Sequence, residues 1–555
     1  MRRPFVALAG LLVISAEATA QQRPNPLKLA PRPTSPAITA ADVMTRVYVF
    51  ADDSMMGRQT GTVYHDKGTN YIARELARLG LQPAGDSGTW FQRLPIVNHD
   101  LASSARLVVD GREFQPGRDF LLRDAVDFGA RGKALKDNPV VYGGAFGEEG
   151  GMISPELAAG KVIVFSLPTG WSANRGLLTQ RYLGAAAIVV ATLDSVPQEM
   201  RTDLQLPSKT MAGVTPRLEV PNYFYTSRAV AAAMLGAPMS SLSVGAAGKT
   251  VSATVEYTES PAPGARNVIA VLPGSDPKLR GQYVSIGAHS DHDGIVAPVD
   301  HDSLYAFYHV VRPNGADDGD KEATAEDLPR VRALLDSLRK IHQLRRDSIM
   351  NGADDDASGS MGLLEVAEAF ATAREKPKRS ILFIWHVAEE QGMVGSRYFT
   401  DNPTVPRDSI VANINIDMIG RGGAADVAGG GPGYLQLIGS RRLSPELGDI
   451  VEAEGAKFTP AFRFDYQFDA NGHPQQFYCR SDHYMYARYG IPVVFMSTGG
   501  HAEYHQVTDE PQYLDYDQLA RVSQLVYNVA KVVGDLDHRL AVTGEKPDPN
   551  GRCVQ

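Results

Sequence analysis

At 555 residues the chain is too long for a single hydrophobic core and, at roughly 150 residues per domain, predicts about three units. Its 43% hydrophobic and 21% charged residues exclude wholesale disorder. A formal net charge of −9, with no basic surface apparent for phosphate, argues against nucleic acid as the main partner.

Residues 1–20 read as a secretory signal: Arg2 and Arg3 supply the charged start, 5–14 the apolar run, and Ala18-Thr19-Ala20 the cleavage site. Export to the periplasm or the medium follows, and Arg2-Arg3 ahead of Pro4-Phe5-Val6 also faintly resembles a twin-arginine signal. No segment reaches the roughly 20 apolar residues of a spanning helix, so no integral membrane segment is expected after cleavage. The two cysteines, Cys479 and Cys553, could pair in an oxidising compartment, although no spacing rule demands it. Residues 21–37 are rich in proline and predict an extended linker.

From 38 to 128 the pattern is mixed, with an amphipathic helix over 69–79 closed by Gly80, and this segment is expected to pack on the later catalytic domain. A small β-rich unit is expected over 129–256, with strands at 140–142 and 161–165 and a helix end running into a strand over 184–190. It holds few histidines or acidic clusters, which suits a lid or binding module without its own catalysis. Over 257–540, strands at 268–271, 283–288, 381–387, 411–416 and 492–497 alternate with helices, predicting an α/β domain around a mostly parallel sheet. An insertion spans 293–350, where Leu328, Val331, Leu335, Leu338 and Ile341 form a helical stripe expected to pack against the domain and to contribute to the pocket wall. Residues 541–555 form a tail.

Three of these apolar strands run straight into potential ligands: His289-Ser290-Asp291, Ala388-Glu389-Glu390, and Asp417. Asp354-Asp355-Asp356 precedes a further helix, and His505 follows the last strand. In open α/β sheets, ligands bind at the carboxyl edge of the strands. A lone histidine or an acidic helix start is usually a solvated polar residue, but carboxylates at the ends of buried apolar runs cost several kcal/mol each unless a cation compensates them.

In order and interval, His289-Ser290-Asp291, Gly352-Ala353-Asp354-Asp355-Asp356-Ala357-Ser358-Gly359, Ala388-Glu389-Glu390, Asn415-Ile416-Asp417-Met418 and Tyr504-His505 resemble the M28 zinc peptidases of the aminopeptidase Y/S type. The motifs cover roughly 265–535; Gly57-Arg58 with Leu79-Gly80-Leu81 is similar to the N-terminal segment of such enzymes, and 129–256 to an inserted protease-associated (PA) domain. The resemblance implies a zinc-exopeptidase fold of the phosphorylase/hydrolase-like type and a peptide substrate. It implies two Zn2+ bridged by Asp355, with Glu390 and His505 on one and His289 and Asp417 on the other. It further implies Asp291 as the acceptor of the second ring hydrogen of His289, Glu389 as general base, and Tyr504 as a donor to the developing oxyanion.

The insertion carries a partial copy of the acidic motif, Asn314-Gly315-Ala316-Asp317-Asp318; it lacks the continuation into an apolar helix and is set aside as a metal motif. His292, His301, His473 and His483 read as ordinary polar residues or as partners of the ligands, His483 being the one placed at the pocket. Aminopeptidase action is the expected reaction. A carboxypeptidase or dipeptidase on the same scaffold, a one-zinc glutaminyl cyclase and a non-catalytic peptide receptor are the rivals; the complete ligand set with Glu389 speaks against the last two.

Overall fold

The computed structural model describes residues 25–123, 130–147, 151–167, 178–179, 181–196, 208–212, 218–262, 264–319 and 321–555; the expected signal over 1–20 and the first linker positions lie outside these. No helix among the described residues is long and apolar enough to cross a membrane.

The main sheet has nine strands. Its principal members are β1 (Ala265–Leu272), β2 (Tyr283–His289), β3 (Ser380–His386), β4 (Ile410–Ile416), β5 (Tyr434–Ile438) and β6 (Val493–Ser497). They lie in the order β1-β3-β2-β4-β6-β5. Strands β3, β2, β4 and β6 are mutually parallel, while β1 and β5 flank them antiparallel. Every residue of β3 and β4 is buried, as near-continuous apolar runs covered on both faces require.

The covering helices are α1 (Ala40–Phe50), α2 (Val63–Arg78), α3 (His301–Val311), α4 (Asp327–Leu338), α5 (Gly359–Thr372) and α6 (Tyr516–Asp535). Helix α2 starts before the expected 69, because Thr62 caps it by accepting from the His65 amide. One core joins Val43 and Val47 of α1 and Ile72 and Leu76 of α2 to Phe383 and Trp385 of β3 and Val526 and Val529 of α6. Short strands Gln82–Pro83 and Phe91–Leu94 extend the sheet beside β1, so the N-terminal segment is built into the same body only as far as Leu94.

A second sheet of eight strands lies apart in the chain, between Arg106 and Thr254. It draws strands from before residue 129, namely Arg106–Val109, Arg112–Phe114 and Phe120–Arg123, and buries a separate apolar cluster on each face. The chain enters this unit through Ile96–Leu101 and leaves through Tyr257–Pro261, which pair antiparallel from Val97↔Pro261 to Leu101↔Tyr257.

Within the insertion, Gly294–Asp300 pairs with Arg346–Met350 at the base, and α3 and α4 project from it. No residue of α4 is fully buried and Ile341 is 75% exposed, so the expected helical stripe is only half covered. Cys479 and Cys553 form a disulfide that ties the tail to the loop ahead of the residue 483–487 helix.

Candidate metal centre and cleft

Parallel pairing puts the ends of β2, β3, β4 and β6 on one edge. From that edge β2 presents His289 itself, β3 leads through Val387 and Ala388 to Glu389 and Glu390, β4 leads to Asp417, and β6 leads into the loop carrying His505. The acidic turn Ala353–Ser358 at the head of α5 meets them from the side.

The five expected ligands converge. One carboxylate oxygen of Asp355 lies 3.0 Å from His289 Nε2, and that nitrogen is 3.5 Å from Asp417 Oδ1. Its other oxygen lies 3.0 Å from His505 Nε2, which is 3.1 Å from Glu390 Oε2. Asp355 therefore stands between two donor pairs. Asp356 and Asp293 also carry oxygens within 4.8 Å of members of this group. Asp356 is otherwise committed: its carboxylate accepts the backbone amides of His289 at 3.0 Å, Gly359 at 2.8 Å and Met418 at 3.3 Å. Asp293 lies 3.1 Å from His505 Nδ1, which aims Nε2 of that ring at Asp355 and Glu390.

On His289 the corresponding role falls to a main-chain group. Its Nδ1 is 3.2 Å from the Asp291 carbonyl and 3.9 Å from the Asp291 carboxylate, so the expected side-chain contact is replaced by a backbone one. The carboxylate is drawn away because it accepts from Thr60 Oγ1 at 3.0 Å and from the Glu389 amide at 3.3 Å. It thereby holds the backbone of the implied base. His292, left among ordinary polar residues by sequence reasoning, places Nδ1 2.6 Å from Glu390 Oε1.

The acidic turn is fixed from outside. Asp509 accepts the amides of Asp354 and Asp355 at 3.0 and 3.1 Å. Arg58, fully buried, donates to the Asn351 carbonyl at 2.7 Å and the Gly352 carbonyl at 3.0 Å. Burial pulls the Arg58 pKa down to about 10 against the opposing charges of Asp509 and Asp356. Ala388, Met418 and His505 all have φ between +55° and +59°, backbone strain concentrated next to or on the ligand positions.

A cleft opens over this group. Its acidic floor is Asp355, Glu389, Glu390 and Asp417; Met418, Phe477 and Phe495 form an apolar wall, and Asp317, Arg480 and Tyr504 a polar one. Burial pushes the Glu389 carboxyl well above its usual range; the charge of His289 opposes this, while Asp482 and Asp417 reinforce it. Burial likewise raises the Tyr504 phenol. His483 lies one layer back: its ring stacks on Phe495 at 4.8 Å, it is Phe495 that faces the cleft, and burial depresses the imidazole to about 3. His301 pairs with Glu510 at 2.9 Å, away from the cleft floor, and His473 packs on Phe468 at 5.3 Å.

Residues 267–530 match the model of peptidase family M28. A leupeptin-inactivating enzyme of Streptomyces exfoliatus is 28% identical over 169 residues, covering 30% of this chain and 33% of that protein. Leucine aminopeptidase 1 of Aspergillus oryzae is 30% identical over 190 residues, covering 32% and 46%. The matches thus span a third to just under half of these relatives. Among solved structures, a zinc aminopeptidase from Bacillus subtilis aligns over 92% of this chain and 100% of its own at 14% identity and a TM-score of 0.47. An aminopeptidase from Aneurinibacillus sp. strain AM-1 aligns over 92% and 97% at 15% identity and a TM-score of 0.46.

Proposed function

Given that the domain over residues 267–530 belongs to peptidase family M28, we propose that the chain is an exported di-zinc exopeptidase that removes single residues from the amino terminus of peptides. The observation that carries this reading is Asp355, whose two carboxylate oxygens face separate donor pairs on opposite sides. The donors fit the metal: imidazole nitrogens and carboxylates suit zinc, and no cysteine enters the set. His289 and Asp417 would hold one ion, Glu390 and His505 the other, with Asp355 shared.

When bound, the ions polarise the scissile carbonyl and make water a stronger acid. Glu389 is placed to take the proton from the attacking water, because its backbone is held by Asp291 and its carboxyl is spent on no ligand position. Once protonated, it can pass that proton to the leaving amine. Tyr504 offers its hydroxyl to the carbonyl oxygen as that atom gains charge.

The polar wall favours an amino over a carboxyl terminus. Arg480 is the one cationic side chain among the described residues lining the cleft. Its guanidinium is engaged by Asp317 at 2.9 Å and by the Tyr504 hydroxyl at 3.2 Å, so no side-chain cation of the cleft is left free to hold a substrate carboxylate. The wall of Met418, Phe477 and Phe495 suits an apolar first side chain, in keeping with the leucine aminopeptidases among the relatives. The eight-stranded unit is read as a PA-like module without chemistry of its own.

The test is the purified protein against aminoacyl and carboxyl-terminal reporter peptides, with and without chelator, beside Glu389→Gln. Chelator-sensitive release from the amino end is expected. The variant should keep two zinc ions and lose roughly 10²- to 10⁴-fold in kcat. Normal turnover by Glu389→Gln removes the mechanism; cleavage from the carboxyl end alone removes only the specificity.

A further inference from the structure

We propose that the 315–317 turn of the insertion is a positioning device for Tyr504, acting through Arg480; this rests on the role given to Tyr504 above. The turn belongs to the partial acidic motif that has no part in the metal cage. The structure nevertheless seats it on the cleft rim, against the loop that carries Tyr504 and His505.

Three contacts make the connection. The Ala316 amide donates to the Tyr504 carbonyl at 3.1 Å. Asp317 grips the Arg480 guanidinium with both oxygens, at 2.9 and 3.3 Å. Arg480 Nη2 then donates to the Tyr504 hydroxyl at 3.2 Å. A guanidinium has donors only, so the phenolic oxygen must be the acceptor in that bond. The phenol's own proton is thereby left for another partner, and no contact among the described residues takes it. Tyr504 lines the cleft, where the oxygen of a substrate carbonyl would be that partner. Donation from the cation into the phenolic oxygen also strengthens the phenol as a donor.

The fit at the turn is close. At Gly315, φ +61°, an added Cβ would come within 2.6 Å of the Tyr504 carbonyl oxygen and 2.7 Å of its Cβ. The Tyr504 loop is held by the insertion at a second point, where His309 Nε2 of α3 lies 2.6 Å from Glu503 Oε1, one residue before Tyr504. Arg480 is steadied by the Phe477 ring, 5.1 Å beneath it. The insertion thus supplies the outer half of a relay, Asp317 to Arg480 to Tyr504, whose inner half faces the reaction.

The experiment compares zinc-loaded full-length wild type, Asp317→Asn, Tyr504→Phe and the double variant on one aminoacyl reporter, measuring kcat, KM and zinc content. Asp317→Asn is expected to lower kcat about 10- to 100-fold through misplacement of the hydroxyl, with KM within about twofold and zinc unchanged. In the Tyr504→Phe background the same substitution should cost nothing further, because the group it positions is gone. A purely structural role for Asp317 predicts the opposite: its loss multiplies with that of Tyr504→Phe, or zinc falls, and either result overturns the inference. Wild-type kcat in Asp317→Asn also overturns it. Arg480→Lys leaves the turn and the Tyr504 loop intact and should give the same loss confined to kcat, because an ammonium lacks the fork that holds Asp317 and the Tyr504 hydroxyl together, which keeps the test open if Asp317→Asn folds poorly. Unimpaired Tyr504→Phe removes the role of Tyr504 together with this inference, whereas a wild type inert toward every aminoacyl reporter, or indifferent to chelator, removes the functional reading itself.

Discussion

Gly352 carries a backbone demand that the metal centre inherits. It sits at φ +53°, and a Cβ there would lie 2.1 Å from the Asp355 carbonyl oxygen and 2.6 Å from the His292 ring. One obstacle is backbone and the other is the imidazole that contacts Glu390, so neither can yield without moving a ligand. Gly352→Ala is expected to destabilise the fold by more than about 1 kcal/mol, since alanine pays for a left-handed conformation as well as the clash. It should also weaken zinc binding at both positions, because Asp355 faces both donor pairs. Thermal unfolding and titration with a competing chelator measure the two effects; a variant with wild-type metal affinity would show that the turn can absorb the methyl group.

The loop between β6 and α6 is built around a charged network under the cage. His501 lies between Asp354, at 3.3 Å from Nε2, and Glu503, at 3.0 Å from Nδ1, and Glu503 also meets Arg421 at 2.8 Å. Burial and Arg421 oppose a charged imidazole, but Asp354 and Glu503 outweigh them and push the His501 pKa from 6.5 up to about 10. Burial works the other way on Glu503, and there Arg421, His309 and His501 hold the carboxyl well below its usual range. For His501 the folded state binds the proton more tightly than the unfolded chain. Its contribution is therefore complete below about pH 6.5 and is lost as pH rises through about 10. For Glu503 the contribution is present above the ordinary glutamate range and is lost only well into acid. The difference in thermal midpoint between wild type and His501→Gln should be widest below pH 6.5 and should shrink toward pH 10; a constant difference would remove the charged-imidazole account.

At this scale the sequence was readable where one cause dominates. Apolar runs of β2, β3, β4 and β6 announce themselves because both faces are covered, and the ligands stand out because charge follows such runs directly. The network was not readable, since His501, Glu503 and Arg421 are joined by tertiary proximity across about 80 positions. Asp293 was missed for a related reason: its value lies in the ring nitrogen of His505 that it contacts, 212 residues away, although its place in the run His289-Ser290-Asp291-His292-Asp293 was a usable signal. Asp317 was set aside because a motif search asks for ligands, and its partner is an arginine.

The molecule as a whole is two bodies joined by a neck. Ile96–Leu101 and Tyr257–Pro261 bring the chain out to the eight-stranded sheet and back as adjacent antiparallel strands, with Leu101 opposite Tyr257. The remote sheet has its own apolar clusters, separate from the core that unites α1, α2, α5 and α6 with the main sheet. Such an arrangement can be cut without opening the main core. Replacing residues 102–256 with Asn-Gly would join Leu101 to Tyr257 through a two-residue turn whose twist matches the flanking strands. The strand Ser208–Met211, which pairs with Ile96–Leu101, would be lost with the rest, leaving one exposed edge and uncovering the small apolar cluster in which Met211 is buried with Leu94, Ile96, Val387 and Ala388. Every residue of the metal centre and of the cleft wall lies outside the excised stretch. The shortened chain is therefore expected to fold, to bind two zinc ions, and to turn over small aminoacyl reporters within about tenfold of the full-length rate, the range left to an outer module that only orients substrate. Its discrimination between short reporters and long peptides is where a lid or binding module would be missed. If the excised protein is soluble and metal-loaded yet inert toward the smallest reporter, the remote sheet must take part in catalysis itself, and the division into a chemical body and an accessory one fails.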